Sequence, residues 1–148
     1  MRFEITPYVS VGPLRWDMQQ GDVDAQLGIA SRTARNRMGH ATQYRDELSQ
    51  TCIFDKSSKN LIEVSFSEKR GLVFVGELDQ IAASNKDVID TLLRMDRNVK
   101  IGFASIVFLD LGIALSGYQP NDEEIKAVSI FTRGRWDNIS QNMTPYAR

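Results

Sequence analysis

This sequence is poor in the residues from which reactive sites are built. Among 148 residues there is one cysteine, Cys52, and one histidine, His40. A single thiol excludes an internal disulfide and any multi-thiolate zinc site, and it fits a reducing compartment, so a cytoplasmic location is expected. Lys and Arg number 18 against 19 Asp and Glu, a formal net charge of -1. No global field is left to draw nucleic acid or an anionic membrane. No stretch approaches the roughly 20 apolar residues that span a bilayer. The opening MRFEITPYVSVGPLRW lacks the apolar centre of an export signal. EF-hand spacing, a recognised nucleic-acid module and a catalytic signature are all missing.

What is there suffices for a packed core. At this length roughly 70% of the unfolded surface can be buried, in one domain or two small fused units.

The chain also repeats itself. A shift of 64 positions pairs Val9 with Val73, Val11 with Val75, Gly12 with Gly76 and Leu14 with Leu78. The same shift pairs Tyr44 with Phe108, Asp46 with Asp110, Phe54 with Tyr118, Leu61 with Ile125, Val64 with Val128, Ser65 with Ser129 and Phe66 with Ile130. Between these blocks the register slips by one, so that Asp22, Val23 and Leu27 meet Asp87, Val88 and Leu92, as an indel on either side of a helix produces. Self-similarity at a fixed spacing points to supersecondary units sharing a core. The expected fold is α+β: two tandem strand-helix-hairpin repeats, 8–70 and 72–133, forming a mainly antiparallel sheet with helices on one face. A short C-terminal tail, 134–148, completes the single domain, either loosely held or docked.

Local signals follow that order. Val9 and Val11 before Gly12-Pro13 predict a short strand and a turn. Asp17 can cap a first helix with Met18, Val23 and Leu27 inward and Gly28 at its end, weakened by Gly21 in its interior. Ser84 and Asp87 form a capping box for a second helix from Asn85 to about Arg97, with Val88, Leu92 and Met95 at helical spacing. Hairpins are predicted in TCIFDKSSKNLIEVSF and GIALSGYQPNDEEIKAVSIF, and the strand GLVFV should extend the first sheet. Ile62, Val64 and Phe66 alternating with Leu61, Glu63 and Ser65 describe a sheet with one packed and one partly open face.

VGPLRWDMQQGDVDAQLG resembles the Gly-Met-Thr-x-x-x-Val-x-x-x-Leu-Gly-x-Pro opening of small outer-membrane assembly lipoproteins and of their tandem form, the β-lactamase inhibitor protein fold. Met18, Val23, Leu27 and Gly28 match. Asp17 stands in place of Gly, Gln19 in place of Thr, and no Pro follows Gly28. The chain through VSIFTRGRWD is also similar to small soluble bacterial proteins, some of them of toxin-immunity type. The resemblance implies a binder that holds another protein on an open sheet face and loops.

Each candidate residue has a plainer reading beside its functional one. Cys52 and His40 are the one conventional covalent pair, yet cysteine is among the most often buried residues and a loop histidine is usually solvated. Asp22 and Asp87 sit near helix amino termini, where the helix dipole alone accounts for negative charge. Asp122, Glu123 and Glu124 adjoin one another in a turn, where acids point apart, so no metal is expected, and no cofactor. Between Asp24 and Asp46 no acid interrupts Arg32, Arg35, Arg37, His40 and Arg45. Such a loop is either a solvated surface or the contact for an acidic protein, with nucleic-acid phosphate ranked below protein. Trp136 beside Arg133 and Arg135 is either a lid on the core or a binding anchor. Phe54 and Tyr118 either close their hairpins or pair on the open face.

The sequence reading is therefore a non-enzymatic protein-binding module, taken as an immunity protein that covers a toxin domain. Its expected contact residues are Arg35, Arg37, Tyr44, Phe54, Tyr118 and Trp136. Two alternatives stand beside it, a self-associating protein forming a homodimer and an enzyme acting on a small ligand.

Overall fold

The computed structural model describes residues 1–67, 72–120 and 125–148. The elements run β1 (Phe3–Thr6), β2 (Ser10–Val11), β3 (Leu14–Arg15), α1 (Gln20–Leu27), β4 (Arg32–Arg35), β5 (Ala41–Arg45), a 3-10 turn (Asp46–Leu48), β6 (Gln50–Phe54), β7 (Leu61–Ser67) and β8 (Val73–Val75). They continue with β9 (Leu78–Asp79), α2 (Asn85–Met95), β10 (Val99–Gly102), β11 (Ser105–Phe108), β12 (Ile113–Ser116), β13 (Ala127–Phe131), α3 (Asp137–Ser140) and β14 (Thr144–Pro145). Mostly antiparallel sheets with three short helices among the described residues make the class α+β.

The principal sheet has nine strands in the order β14-β10-β11-β12-β13-β7-β6-β5-β4, and a smaller one has the order β3-β2-β1-β8-β9. At the centre of the large sheet β13 and β7 pair antiparallel with Ser65 opposite Ser129, and their hydroxyl oxygens lie 2.7 Å apart. From β2 the chain runs two short strands, a helix and four sheet strands to β7. From β8 it runs the same sequence of elements to β13.

The larger core lies on one face of this sheet. Cys52, Val64, Phe66, Ile106, Phe108, Ile113, Leu115, Val128 and Ile130 pack there with Val23 of α1, Val88 and Leu92 of α2, and Phe3 and Val73 of the small sheet. The Phe3 and Phe66 rings approach to 4.8 Å between centroids. Gly12 is needed here: its φ is +57°, and a Cβ would come within 2.8 Å of the Phe3 ring. A second cluster occupies the opposite face, where Val107, Ala114 and Phe131 pack with Met143 of the C-terminal segment and, partly buried, Tyr8 and Trp136. The tail is thus docked, and α3 belongs to it rather than to the helix-covered face.

Several local expectations shift. Gln19, not Asp17, caps α1: its side chain and that of Asp22 complete a reciprocal box, with Gln19 N–H donating to Asp22 Oδ2 at 2.9 Å. The second helix ends at Met95 because Asp96 turns extended and accepts from the amides of Asn98, Asp110 and Leu111. Met95 faces outward and Ile89 packs inward in its stead. The strand in GLVFV does not extend the large sheet; β8 pairs parallel with β1, Phe3 opposite Val73. A register shift at Ile53 and Phe54 sets Leu61 inward and leaves Ile62 half-buried, while Val64 and Phe66 against Glu63 and Ser65 alternate as expected. Asp122, Glu123 and Glu124 lie outside the described residues, as do the junction residues 68–71.

Candidate binding surface on the sheet

The stretch ASRTARNRMGHATQYR, expected to be a loop, folds as the hairpin β4–β5 and forms one end of the large sheet. Its alternation is hidden because the side chains it buries are polar. Gln43 and Arg45 point toward α1, where the Arg45 guanidinium donates to Gly28 O at 2.9 Å and to Asp24 Oδ1 at 2.6 Å. Arginine thereby caps the carboxyl end of α1.

The opposite pleat of the same strands forms the sheet's outer face. Successive cross-strand neighbours there read Arg32, Tyr44, Thr51, Ser65, Ser129, Ala114, Val107 and Lys100 from β4 to β10. Along this row accessibility changes sharply. Ala114 and Val107 are buried beneath the C-terminal segment, whereas Tyr44, Thr51 and Ser65 are half-buried and Arg32 is exposed.

Above the accessible part lies a groove of about 590 Å³, lined by Arg32, Tyr44, Thr51, Ser65, Ser67 and Ile125 among others. The Arg32 guanidinium stacks 3.8 Å from the centroid of the Tyr44 ring. Ile125, 62% exposed, supplies an apolar wall. Hydroxyls, the Arg32 guanidinium and the Asp46 carboxylate flank an aromatic floor.

The expected contact residues do not converge. Arg35 and Arg37 are exposed on the β4–β5 hairpin, with Arg35 donating to Gly39 O at 3.0 Å. Tyr44 lies on the groove floor. Phe54 and Tyr118, each 1% exposed, belong to the core and cannot meet a partner. Phe54 on β6 and Tyr118, two residues past the end of β12, both pack into the larger core, and the Tyr118 hydroxyl donates to Gln80 O. Trp136 closes the second cluster, 5.8 Å from the Phe131 ring, with Nε1 donating to Glu63 Oε1 at 3.3 Å. Burial pushes the Glu63 carboxyl upward, although Arg135 and Trp136 both oppose the shift. Sequence reasoning missed Thr51, Ser67 and Ile125, and it named Arg32 in the basic stretch and Ser65 on the open face without choosing them as contacts. The alternation of Glu63 and Ser65 against Val64 and Phe66 was the one signal for this face.

The cysteine-histidine pair is not assembled. Cys52 is buried on the core face beside Gln50, and burial pushes its thiol up to about 12. His40 accepts the Lys56 N–H at Nδ1, 3.0 Å away, which in the neutral ring leaves the proton on Nε2. Burial, then the charge of Arg135, lowers its pKa. It borders a smaller cavity of about 380 Å³ with Asp55, Arg133 and Arg135. No group of three or more His, Cys, Asp or Glu among the described residues is placed to hold a metal ion, and no described helix is long and apolar enough to cross a membrane.

Comparison with family models, curated proteins and solved structures found no match to this chain.

Proposed function

We propose that this chain is a protein-binding module whose contact surface is the accessible part of the outer sheet face around Tyr44, Thr51 and Ser65, between β4 and β7. The observation that carries this reading is the asymmetry of one cross-strand row. Val107 and Ala114 lie under the chain's own C-terminal segment, while Tyr44, Thr51 and Ser65 stay half-exposed along the groove. An accessible aromatic with a stacked arginine, ringed by hydroxyls, has the composition of an interface anchor.

The same reading takes 8–70 and 72–133 as two copies of one unit whose helices share the core face. Support comes from the matched element order and from Ser65 and Ser129, 64 positions apart, pairing with each other at the centre. An antiparallel pair between equivalent residues is what a local two-fold axis produces. Duplication then supplies a sheet wide enough for one half to be closed internally and the other to be kept for a partner. In its sharper form the partner is a toxin domain and the chain a cytoplasmic immunity protein; the resemblance alone supports that step.

Capture from the native host on immobilised chain, followed by mass spectrometry, tests the reading. A protein retained by the wild type and lost from a Tyr44→Ala/Arg32→Ala variant is expected. Equal retention by both, or recovery of nucleic acid instead, overturns it. For the immunity form, the captured protein must be a toxin whose activity the chain abolishes.

A further inference from the structure

The two ends of the large sheet differ in how their edges are satisfied. At one end β14 pairs antiparallel with β10, Pro145 opposite Lys100 and Thr144 opposite Ile101, and Tyr146 N–H donates to Val99 O at 2.9 Å. The residues just before it lie over the outer face, with Met143 against Gly102 and in the cluster of Val107 and Ala114. At the other end β4 has no second neighbour among the described residues, and all four of its residues are exposed. Asn36 N–H donates to His40 O at 3.0 Å, which fixes the phase of the ladder. Arg32 and Ala34 turn their backbone groups toward β5, and Thr33 and Arg35 turn theirs outward.

Resting on the binding-module reading, we propose that β4 takes up an extended acidic segment of another protein as an added strand. That segment continues into the groove over Tyr44, as residues 143–146 cover β10 and its outer face. Charge selects the partner. Arg32, Arg35 and Arg37 make no ion pair with any described residue. Arg32 projects to the outer face and Arg35 to the opposite one, three positions apart. An added strand therefore meets them with acids at i and i+3, an Asp/Glu-x-x-Asp/Glu pattern, and gains main-chain hydrogen bonds at Thr33 and Arg35. A second copy is disfavoured by the same residues, since pairing two β4 edges gathers the arginines of both copies with no acid on either strand to face them.

Selection of a random dodecapeptide phage library on the full chain tests this. Enriched peptides should carry the acidic pattern and slow amide exchange at Thr33 and Arg35 at least tenfold. They should lose at least tenfold in affinity on Thr33→Pro, a change that spares the β5 ladder because that N–H faces outward. An Arg32→Glu/Arg35→Glu variant should enrich basic peptides instead. No enrichment, enrichment without the pattern, protection confined to other strands, or affinity indifferent to Thr33→Pro each overturns the proposal. Concentration-dependent dimerisation with protection of Thr33 and Arg35 overturns it in favour of a second copy. A native partner that still binds the Thr33→Pro variant overturns strand addition and leaves the binding-module reading standing.

Discussion

On β10 to β13 the outer face presents Val107, Ala114 and Phe131, and a short helix, Trp136 and Met143 close it. On β4 to β7 the corresponding row presents Tyr44, Thr51 and Ser65 beneath a groove. Both halves belong to one sheet and share one core on the other side, so core packing does not explain the difference. The chain uses its own residues to make one half a second hydrophobic layer and leaves the other polar. An apolar face left bare would be an association hazard, while a polar one can stay in water uncovered.

Substituting one outer-face aromatic in each half should separate the halves most clearly. Phe131→Ala empties the covered layer and is expected to cost about 3–5 kcal/mol. Tyr44→Ala, which removes a half-buried ring and its stacked arginine, should cost under about 1 kcal/mol. Denaturant midpoints measured side by side check this, and similar losses at the two sites would break the contrast.

The helix ends offer a smaller comparison. Arg45 caps α1 from within the sheet, its side chain 4% exposed, whereas exposed Arg148 donates to Leu93 O and Asp96 O at the end of α2. Arg45→Met should cost about 2–3 kcal/mol by leaving Gly28 O without its donor and Asp24 with Gln43 alone, and Arg148→Ala less than about 1 kcal/mol. Amide exchange in the last turn of each helix reads the two effects separately.

At the seam between the halves, Ser65→Ala and Ser129→Ala should each cost about 1 kcal/mol, and the double variant little more than either one. Fully additive losses would show that the hydroxyls do not act as a pair. The smallest effect concerns His40. Its folded-state pKa lies below the ordinary 6.5, so the unfolded chain takes up the proton first as pH falls. Stability attributable to His40 is complete above 6.5 and declines as pH drops below it, toward the folded value. His40→Asn retains an acceptor for the Lys56 amide and should flatten the melting temperature between pH 7 and 5.

The sequence showed its fold where burial was apolar and local. Ser84 with Val88 and Leu92 marked α2, and the runs around Cys52 to Phe54 and Leu61 to Phe66 marked a hairpin that the sheet contains. Arg32–Arg45 escaped because its inward positions are Gln43 and Arg45, so the period of two carries no hydrophobic signal. The pairing of β8 with β1 also escaped, since a three-residue strand does not encode its neighbour. At the candidate surface Tyr44 was legible as an aromatic among arginines. Phe54 and Tyr118 were misplaced because repeat spacing gives their equivalence but not the side of the sheet to which they turn.

The parallel contact of Phe3 with Val73 sets an order on assembly. β1 lies almost at the start of the chain, yet its neighbour is 73 − 3 = 70 positions further on, and the central seam joins residues 64 positions apart. The first contact needs the chain through Val73 and the second the chain through Ser129, and each requires closing a long loop before anything is gained. Refolding should therefore be slow, in the millisecond-to-second range of sheets built from distant partners, and a chain still emerging from the ribosome should hold its first strand against β2 alone until Val73 has been made.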